Sequence, residues 1–300
     1  MATPRKAEII EKAKQMWFDD QLRQGFQPTT NPERSELQES GYLSLAMTEL
    51  MQNDDKKYTE WVHNDILDVK DLVFDVELAK RRGTFISGSR GSGKSNLGKI
   101  LADRLIKDGC IVKVFDNSQI WRHSNIPNLL VVKPDKHGKI DVQIDFYKSY
   151  VFDISHLYIK IQRLFTEFVI RTEFNYQANM TERKEHIYIF EECELLVGTH
   201  NRSEEIMRLV CVGRNFDLSY IALAQRLAMV STSLISQCGQ MYFGQAHEEN
   251  DKKKLRNWLG SHTNELEDLS IGEFLYKNGK YVEKLRTPLF QRKVMEVRAE

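Results

Sequence analysis

The stretch Gly88–Ser95, with the sequence GSRGSGKS, decides the fold class, because it fits the pattern GxxxxGK[ST] at every fixed position. Directly before it, Thr84–Ser87 (TFIS) is typical of a strand, and directly after it the apolar spacing predicts a helix over 94–107. In such a strand–turn–helix unit the backbone N–H groups face phosphate oxygens, and the helix N-terminus adds partial positive charge. The sequence therefore predicts a P-loop nucleotide-binding domain.

The residue types in this loop match the parts that a bound nucleotide needs. Lys94 is expected to reach the β- and γ-phosphates, and the Ser95 hydroxyl is expected to ligate Mg²⁺, so ATP and Mg²⁺ are the predicted cofactors. The competing interpretation is a glycine-rich loop that binds nothing. The predicted nucleotide-binding residues are Gly88, Ser89, Arg90, Gly91, Ser92, Gly93, Lys94, Ser95 and Asn96.

A second acidic element follows the apolar run HIYIF (186–190), where two carboxylates, Glu191 and Glu192, stand at the predicted end of a strand. We expect Glu191 to join Ser95 in holding the metal through its bound water, and Glu192 to act as the general base on the attacking water. These carboxylates also fit a solvated strand end, and the neighbouring Glu194 could substitute for either.

A polar amide and an arginine complete the predicted catalytic set. Gln225 follows the strand candidate 219–224 and is expected to sense the γ-phosphate or orient the attacking water. Arg214 lies just upstream and is expected to stabilise transition-state charge in a neighbouring site. Taken singly, Gln225 fits a strand-end residue and Arg214 a surface charge. Their order after the carboxylate pair favours the functional interpretation.

The pattern of apolar runs predicts an α/β fold. From about residue 83, short apolar runs alternate with helical stretches, which indicates a mostly parallel sheet with helices on both faces. Asn278-Gly279 between two alternating runs predicts a C-terminal β-hairpin. Helical spacing over 5–24 and 41–52 predicts a small helical N-terminal appendage. The predicted divisions are an appendage over 1–65, an ATPase domain over 66–290 and a tail over 291–300; the strand candidates are 84–87, 110–115, 129–132, 150–154, 186–190, 219–224 and 240–244, and 156–174 is a further helix candidate.

Composition excludes several classes of protein. Lys plus Arg and Asp plus Glu each number 43, so the net charge is zero and a polycation that coats nucleic acid is excluded. No apolar run approaches the roughly 18 residues that a bilayer span requires. The four cysteines form no CxxC pair and the eight histidines are scattered, which argues against a disulfide framework or a zinc site. We therefore expect a soluble, intracellular protein without a membrane span.

Five motifs together resemble the HerA–FtsK superfamily of DNA-pumping ATPases. They are GSRGSGKSN (88–96), IYIFEECELL (187–196), VGRNFDLSYIALAQR (212–226), LISQCGQMYFGQAHEENDKKKLRNWLG (234–260) and IGEFLY (271–276). The resemblance implies a RecA-like core and a homo-hexameric ring with ATP sites between subunits, through which double-stranded DNA passes.

By position, the resemblance makes Glu191 and Glu192 the second acidic motif, Gln225 the sensor and Arg214 the finger that acts on the neighbouring subunit. The rival arginines are Arg202, Arg208 and Arg226. The chain departs from the family pattern in two places, because Glu191 replaces the usual Asp and Leu227 replaces the proline often found after the Gln-Arg pair.

The DNA contacts and the biological role are less well marked. The basic stretches Lys133–Lys139 and Lys252–Arg256 are candidate DNA contacts, although each also fits a solvated surface. The compact chain favours DNA packaging for a virus or mobile element, in the host cytoplasm or with the virion, and a capsid or other accessory protein is then a candidate partner of the N-terminal region. The alternatives are a HerA-like repair or plasmid-transfer translocase, a P-loop phosphotransferase on a small molecule, which leaves the Arg214–Gln225 block unexplained, and a non-hydrolysing scaffold, which the intact catalytic residues argue against.

Overall fold

The structure is a computed structural model that describes residues 70–122, 124–141, 143–198 and 203–290, together with helical residues Lys14 and Gln15. The strands and helices below belong to a unit that begins at Val69. Apart from Lys14 and Gln15, the predicted appendage over 1–65 and the predicted tail lie outside the described residues, so the three predicted divisions of the chain stay predictions.

Strands and helices alternate along most of the described chain. The strands are β1 (Lys70–Asp71), β2 (Gly83–Ser87), β3 (Ile111–Asp116), β4 (Leu129–Val132), β5 (Ser149–Asp153), β6 (His186–Phe190), β7 (Leu218–Ala224), β8 (Cys238–Phe243), β9 (Glu273–Asn278) and β10 (Tyr281–Arg286). The helices are α1 (Val76–Arg81), α2 (Lys94–Lys107), α3 (Ile159–Ala178), α4 (Cys193–Leu196), α5 (Glu204–Val212), α6 (Thr232–Ser236) and α7 (Glu249–Leu259). Single turns of 3₁₀ helix cover Gly213–Phe216 and Leu227–Met229, and a longer one covers Gly260–Glu267.

Within the described residues, all ten strands join one sheet in the order β1-β10-β9-β8-β2-β7-β6-β3-β5-β4. Every pairing from β8 through β4 is parallel, whereas β9 is antiparallel to both β8 and β10. The central strands are buried along their whole length, as expected for parallel strands covered on both faces. The predicted α/β class with a mostly parallel sheet is confirmed.

The predicted C-terminal hairpin is also present. Asn278 pairs with Tyr281 across the turn between β9 and β10. Gly279, inside the turn, has a φ of +58°, a left-handed conformation that glycine adopts without strain. The Asn-Gly dipeptide therefore sets the turn as expected.

Successive strand residues point to opposite sides of the sheet, so both faces carry apolar side chains, and helices cover both faces. Phe115 and Phe190 belong to one apolar cluster, which α3 and α5 cover. Their neighbours Val114 and Ile189 belong to a second cluster, beneath α2. Since β2, β7, β6 and β3 run in parallel, their carboxyl ends meet at one edge, and the loops that follow them are brought together there.

Five of the seven predicted strands differ from the observed ones by one or two residues at an end. The predictions 110–115 and 150–154 correspond to β3 and β5, which both end on an aspartate. Both aspartates are paired in the ladder and fully buried. The prediction included Asp153 but stopped before Asp116, because polarity alone argues against a buried aspartate at a strand end. The predicted helix 156–174 begins instead at Ile159 and continues to Ala178.

A buried polar cluster joins α3 to the sheet. The Lys113 ammonium group on β3 donates to the Glu173 carboxylate on α3 and to the carbonyl of Phe146, and Glu173 also pairs with His186 Nδ1 on β6. Lys113, Glu173 and His186 are each at most 1% exposed. Burial lowers the pKa of Lys113, while the hydrogen bond from His186 and the charge of Lys113 outweigh burial and lower the pKa of Glu173.

Lys113→Met is expected to lower the free energy of unfolding by about 3–5 kcal/mol, because it leaves the buried Glu173 carboxylate without its cation. Urea denaturation measures the change. The control is Lys107→Met, which removes an ion pair with Asp103 whose lysine is largely exposed, and it should change stability by less than about 1 kcal/mol. Equal losses in the two variants would contradict the prediction.

Candidate nucleotide-binding and catalytic site

The predicted P-loop connects β2 to α2 in a conformation that depends on two of its glycines. Gly91 and Gly93 have φ values of +81° and +100°, a left-handed region that side chains rarely adopt. Gly93 directly precedes α2, which begins at Lys94. The turn therefore leads into the helix at its N-terminus, where free backbone N–H groups form an anion site.

Neighbouring strands hold the loop from both sides. The Gly88 N–H donates to the carbonyl of Ala224 at the end of β7 (3.3 Å), and the Ser89 N–H donates to the carbonyl of Gln245 just after β8 (2.6 Å). The Ser92 carbonyl accepts from the Gly272 N–H before β9 (3.0 Å). These three bonds anchor the loop to the segments at the ends of β7 and β8 and at the start of β9.

Lys94, the first residue of α2, is 5% exposed. Its ammonium group donates to the carbonyl of Ser89 at 3.0 Å. Burial lowers the pKa of Lys94, and the nearby charges of Glu192 and Glu191 oppose that shift. A buried ammonium group enclosed by a backbone loop and facing carboxylates is suited to binding phosphate oxygens.

Ser95 and Glu191 meet as the metal prediction requires. The Ser95 hydroxyl donates to Glu191 Oε1 at 2.7 Å, and the indole N–H of Trp121 donates to Glu191 Oε2, also at 2.7 Å. The carboxylate is 1% exposed, and burial raises the pKa of Glu191.

These two residues fit a magnesium ion. A donating hydroxyl keeps its lone pairs, so Ser95 can ligate a metal without losing its bond to Glu191. Among the described residues, no group of three or more His, Cys, Asp or Glu side chains could hold a metal. A hydroxyl beside one carboxylate suits Mg²⁺, which commonly takes few protein ligands and completes its shell with substrate phosphates and water.

Glu192 adopts an unusual backbone conformation directly after β6. Its φ of 48° and ψ of 55° are left-handed, a strained region for a residue other than glycine, and such strain is common at functional sites. Its carboxylate accepts from the side-chain amide of Gln225 at the end of β7. Burial, together with the charge of Glu194 and a hydrogen bond with it, raises the pKa of Glu192 to about 7. A carboxyl group with this pKa is suited to general-base work near neutral pH.

Glu194 accepts hydrogen bonds from backbone N–H groups, whereas Glu191 and Glu192 accept from side chains. Its Oε1 accepts from the backbone N–H groups of Gln225 (2.9 Å) and Arg226 (3.1 Å). Glu194, which the sequence left as a substitute for Glu191 or Glu192, thus holds the backbone at Gln225, and each of the three carboxylates accepts from its own donors.

Arg226 forms ion pairs with acidic residues on and next to α7. Its Nε lies 3.3 Å from Asp251 Oδ2, and Asp251 Oδ1 accepts from the Ala228 N–H at 2.7 Å. A second, longer pair joins Arg226 to Glu248 at 3.7 Å. A cavity of about 210 Å³ lies beside the loop, and its lining includes Ser89, Arg90, Gln225, Arg226, His247 and Asp251.

The side chains of Arg214 and Asn96 lie outside the hydrogen-bonded network of Glu191, Glu192 and Glu194. Arg214 is exposed and precedes β7, whereas Gln225 follows it, so the seven residues of the strand separate them by roughly 20 Å. Asn96 uses both ends of its amide on the C-terminal segment, donating to the Pro288 carbonyl (2.9 Å) and accepting from the Phe290 N–H (2.8 Å). Within one chain, the structure brings neither side chain into the carboxylate network.

The two basic stretches differ in how accessible their lysine side chains are. In α7, Lys252 pairs with Glu249 and Glu267, and Lys254 donates to the Val230 carbonyl. The loop Lys133–Lys139 follows β4 at the same sheet edge as the P-loop, and its three lysines are exposed. Of the two stretches, the loop therefore offers the more accessible charge.

Sequence reasoning missed Trp121 and Asp251. Trp121 lies 70 residues before its partner Glu191, and Asp251 lies 23 residues after Ala228. Trp121 belongs to none of the five motifs, whereas Asp251 lies within the fourth one but carried no predicted role. Only the strand order brings them to the site.

Comparison with known proteins gives structural matches alone, since no protein-family model and no curated protein matches the chain. The genome packaging NTPase B204 of Sulfolobus turreted icosahedral virus 2, solved with ATPγS, is similar with a TM-score of 0.53 at 14% identity, over 70% of this chain and 99% of that one. VirB4 of Thermoanaerobacter pseudethanolicus matches with a TM-score of 0.56 at 12% identity, over 73% and 95% of the two chains. The plasmid coupling protein TrwB, solved with GDPNP, matches with a TM-score of 0.57 at 10% identity, over 75% and 90%.

These neighbours are P-loop ATPases of the HerA–FtsK type, and the expected fold is thereby confirmed. The loop, the paired carboxylates and the strand-end amide occupy one edge of that fold. No helix among the described residues is both long and apolar enough to cross a bilayer.

Glu192→Gln is expected to stabilise the nucleotide-free protein at pH 8 but not at pH 5. The pKa of Glu192 is raised from 4.5 to about 7 on folding, so the folded state binds more protons between these values. The free energy of unfolding therefore falls as the pH rises through this interval, and glutamine removes that loss.

Thermal unfolding in EDTA at the two pH values measures the effect. Glu182→Gln, which neutralises an exposed carboxylate, serves as the control and should show no such difference. A Glu192→Gln protein no more stable than the wild type at pH 8 would show that this carboxylate does not carry the burial penalty.

Proposed function

We propose that the protein is an ATPase that moves double-stranded DNA as a homo-hexameric ring. The observation that carries the proposal is the set of contacts across three strand ends beside the P-loop. Ser95 contacts Glu191, and Glu192 contacts Gln225; these contacts support the metal, base and sensor roles that we propose for the four residues.

In the proposed reaction, the P-loop amides and Lys94 bind the phosphates of ATP. Ser95 and Glu191 would hold Mg²⁺, which supplies charge neutralisation at the β- and γ-phosphate oxygens. Glu192 accepts the proton of the attacking water, and Gln225 keeps the Glu192 carboxylate turned towards that water. The raised pKa of Glu192 makes the carboxylate a stronger base than an exposed one.

The DNA part of the proposal is supported by the neighbours and by the basic loop. One neighbour is described as a genome packaging NTPase and another as a plasmid coupling protein. The exposed lysines of Lys133–Lys139 offer charge for backbone phosphates at the edge where ATP would bind. Such contacts read charge rather than bases, so binding should depend strongly on salt and weakly on sequence.

The biological role that we propose is DNA packaging for a virus or mobile element, in the host cytoplasm or with the virion. Residues 1–65 would then bind a capsid or other accessory protein. A repair or plasmid-transfer translocase is the alternative within the same superfamily.

Lys94→Ala should abolish ATP hydrolysis and weaken nucleotide binding, because it removes the cation that contacts the phosphates. Glu192→Gln should keep nucleotide binding and lose roughly two to four orders of magnitude in turnover, the range for a general base. Hydrolysis is measured with and without double-stranded DNA, with Glu182→Gln as the control. Wild-type turnover in Glu192→Gln, or turnover that DNA does not stimulate in the wild type, would contradict the proposal.

Mixing two inactive variants tests the ring and the proposed trans role of Arg214. Its place at the sheet edge opposite Gln225 suits action on a neighbour's ATP rather than on its own. Arg214→Ala should spare nucleotide binding and lose about three to five orders of magnitude in turnover, as for arginine fingers in other P-loop enzymes. Because Lys94→Ala subunits keep their arginine, the mixture should recover part of the activity.

The matched comparison is Arg208→Ala, since Arg208 lies six residues earlier, on α5, over the ring of Phe174. Assembly and subunit exchange are checked by size-exclusion chromatography for each variant. If both proteins assemble and exchange but no activity returns, Arg214 is not a trans-acting finger.

A further inference from the structure

We infer that Trp121 is a positioning residue for Glu191: its indole N–H holds the carboxylate in the orientation in which it receives a magnesium-bound water. The inference rests on the proposed function, since it concerns the metal that accompanies ATP. It explains how this chain accommodates a glutamate where P-loop ATPases commonly have an aspartate.

The Glu191 carboxylate is held from two sides. Ser95 Oγ donates to one oxygen and Trp121 Nε1 to the other, each at 2.7 Å. Glutamate has one more rotatable bond than aspartate, so a buried glutamate carboxylate can adopt more conformations. With Ser95 as its single donor, the carboxylate could still rotate about that one hydrogen bond. A second donor on the other oxygen fixes the rotation of the carboxylate.

The turn that carries Trp121 is itself anchored by a buried aspartate. Asp116, the last residue of β3, accepts from the N–H groups of Ser118 (3.1 Å) and Ile120 (3.3 Å) through one oxygen. Its other oxygen accepts from the N–H of Trp121 at 2.8 Å. Asp116 therefore sets the path of the chain from the strand end to the indole.

The indole ring is packed directly against the P-loop helix. At Gly98 in α2, an added Cβ would lie 3.3 Å from Trp121 Cζ2 and 3.0 Å from a methyl group of Leu223, so a side chain here would press on the ring and on Leu223. Trp121 is fully buried. With the ring wedged between α2 and the sheet, the N–H has little freedom to leave Glu191.

The chemistry of the donor matters as much as its position. An indole N–H donates and cannot accept, so it pairs only with an acceptor oxygen and favours the ionised carboxylate. Each carboxylate oxygen offers about two acceptor sites. With one site on each oxygen taken by Ser95 and Trp121, the others remain for a water bound to Mg²⁺.

Trp121→Phe tests the inference because it keeps an aromatic ring and removes the N–H. The measurement is the Mg²⁺ concentration needed for half-maximal binding of a fluorescent ATP analogue, together with the affinity for that analogue in EDTA. We expect the Mg²⁺ requirement to rise roughly 10- to 100-fold, the range for losing a hydrogen bond to a charged group, with metal-free affinity unchanged. Trp258→Phe, on α7, is the control and should leave both values unchanged.

A parallel measurement on Glu191→Gln separates this inference from the proposed function. If Glu191→Gln raises the Mg²⁺ requirement and Trp121→Phe does not, the inference is overturned while the metal role of Glu191 stands. If neither variant changes it, the metal role itself fails. An equal loss of binding with and without Mg²⁺ in Trp121→Phe would show a merely structural role and would also overturn the inference.

A spectroscopic readout keeps the test decisive if Trp121→Phe does not fold. The wild-type chain is labelled with 5-fluorotryptophan, and the other three signals are assigned with Trp17→Phe, Trp61→Phe and Trp258→Phe. The remaining ¹⁹F signal, that of Trp121, should shift in Glu191→Gln and, in the wild type, when Mg²⁺ is added to the protein with ATPγS. A signal that moves in neither case overturns the inference.

Discussion

The buried carboxylate at the end of β6 is the constraint on which the rest of the site depends. A carboxylate that is 1% exposed is costly unless donors surround it, and Glu191 takes its two donors from Ser95 and Trp121. The first belongs to the P-loop helix and the second to the turn after β3. Satisfying one buried group therefore ties three neighbouring segments together and fixes the P-loop relative to the sheet.

The carboxylates of Glu192 and Glu194 extend this connection to the end of β7, the strand next to β6 in the sheet. Glu192 binds the side chain of Gln225, and Glu194 binds the backbone of Gln225 and Arg226. Arg226 in turn pairs with Asp251 at the start of α7. A continuous set of polar contacts thus leads from the P-loop through the acidic motif to the helix that follows β8. A change at the γ-phosphate position would have a physical route to that helix, because Gln225 and Arg226 are adjacent in the chain.

The fold and the P-loop could be predicted from the sequence because their signals are local. A glycine-rich turn between a strand and a helix needs only neighbouring residues, and so does the Asn-Gly turn of the hairpin. Strand ends were less predictable, since Asp116 is polar but buried, and what makes its burial possible is the set of backbone N–H groups in the following turn. Asn96 fitted the nucleotide-binding motif, yet its amide holds the segment at Pro288 and Phe290, nearly 200 residues further along.

The sequence by itself determined which chemical groups are present and at which end of each strand they lie: Lys94 and Ser95 after β2, Glu191 and Glu192 after β6, Gln225 after β7. Only the tertiary structure decided which of them touch. The separate tasks of Glu192 and Glu194 follow from the left-handed turn at Glu192 and from the pairing of β6 with β7, and the contact of Trp121 with Glu191 follows from the pairing of β3 with β6. The physical reason is that a hydrogen bond depends on atomic positions within a few tenths of an ångström, and strand order sets those positions between residues far apart in the chain.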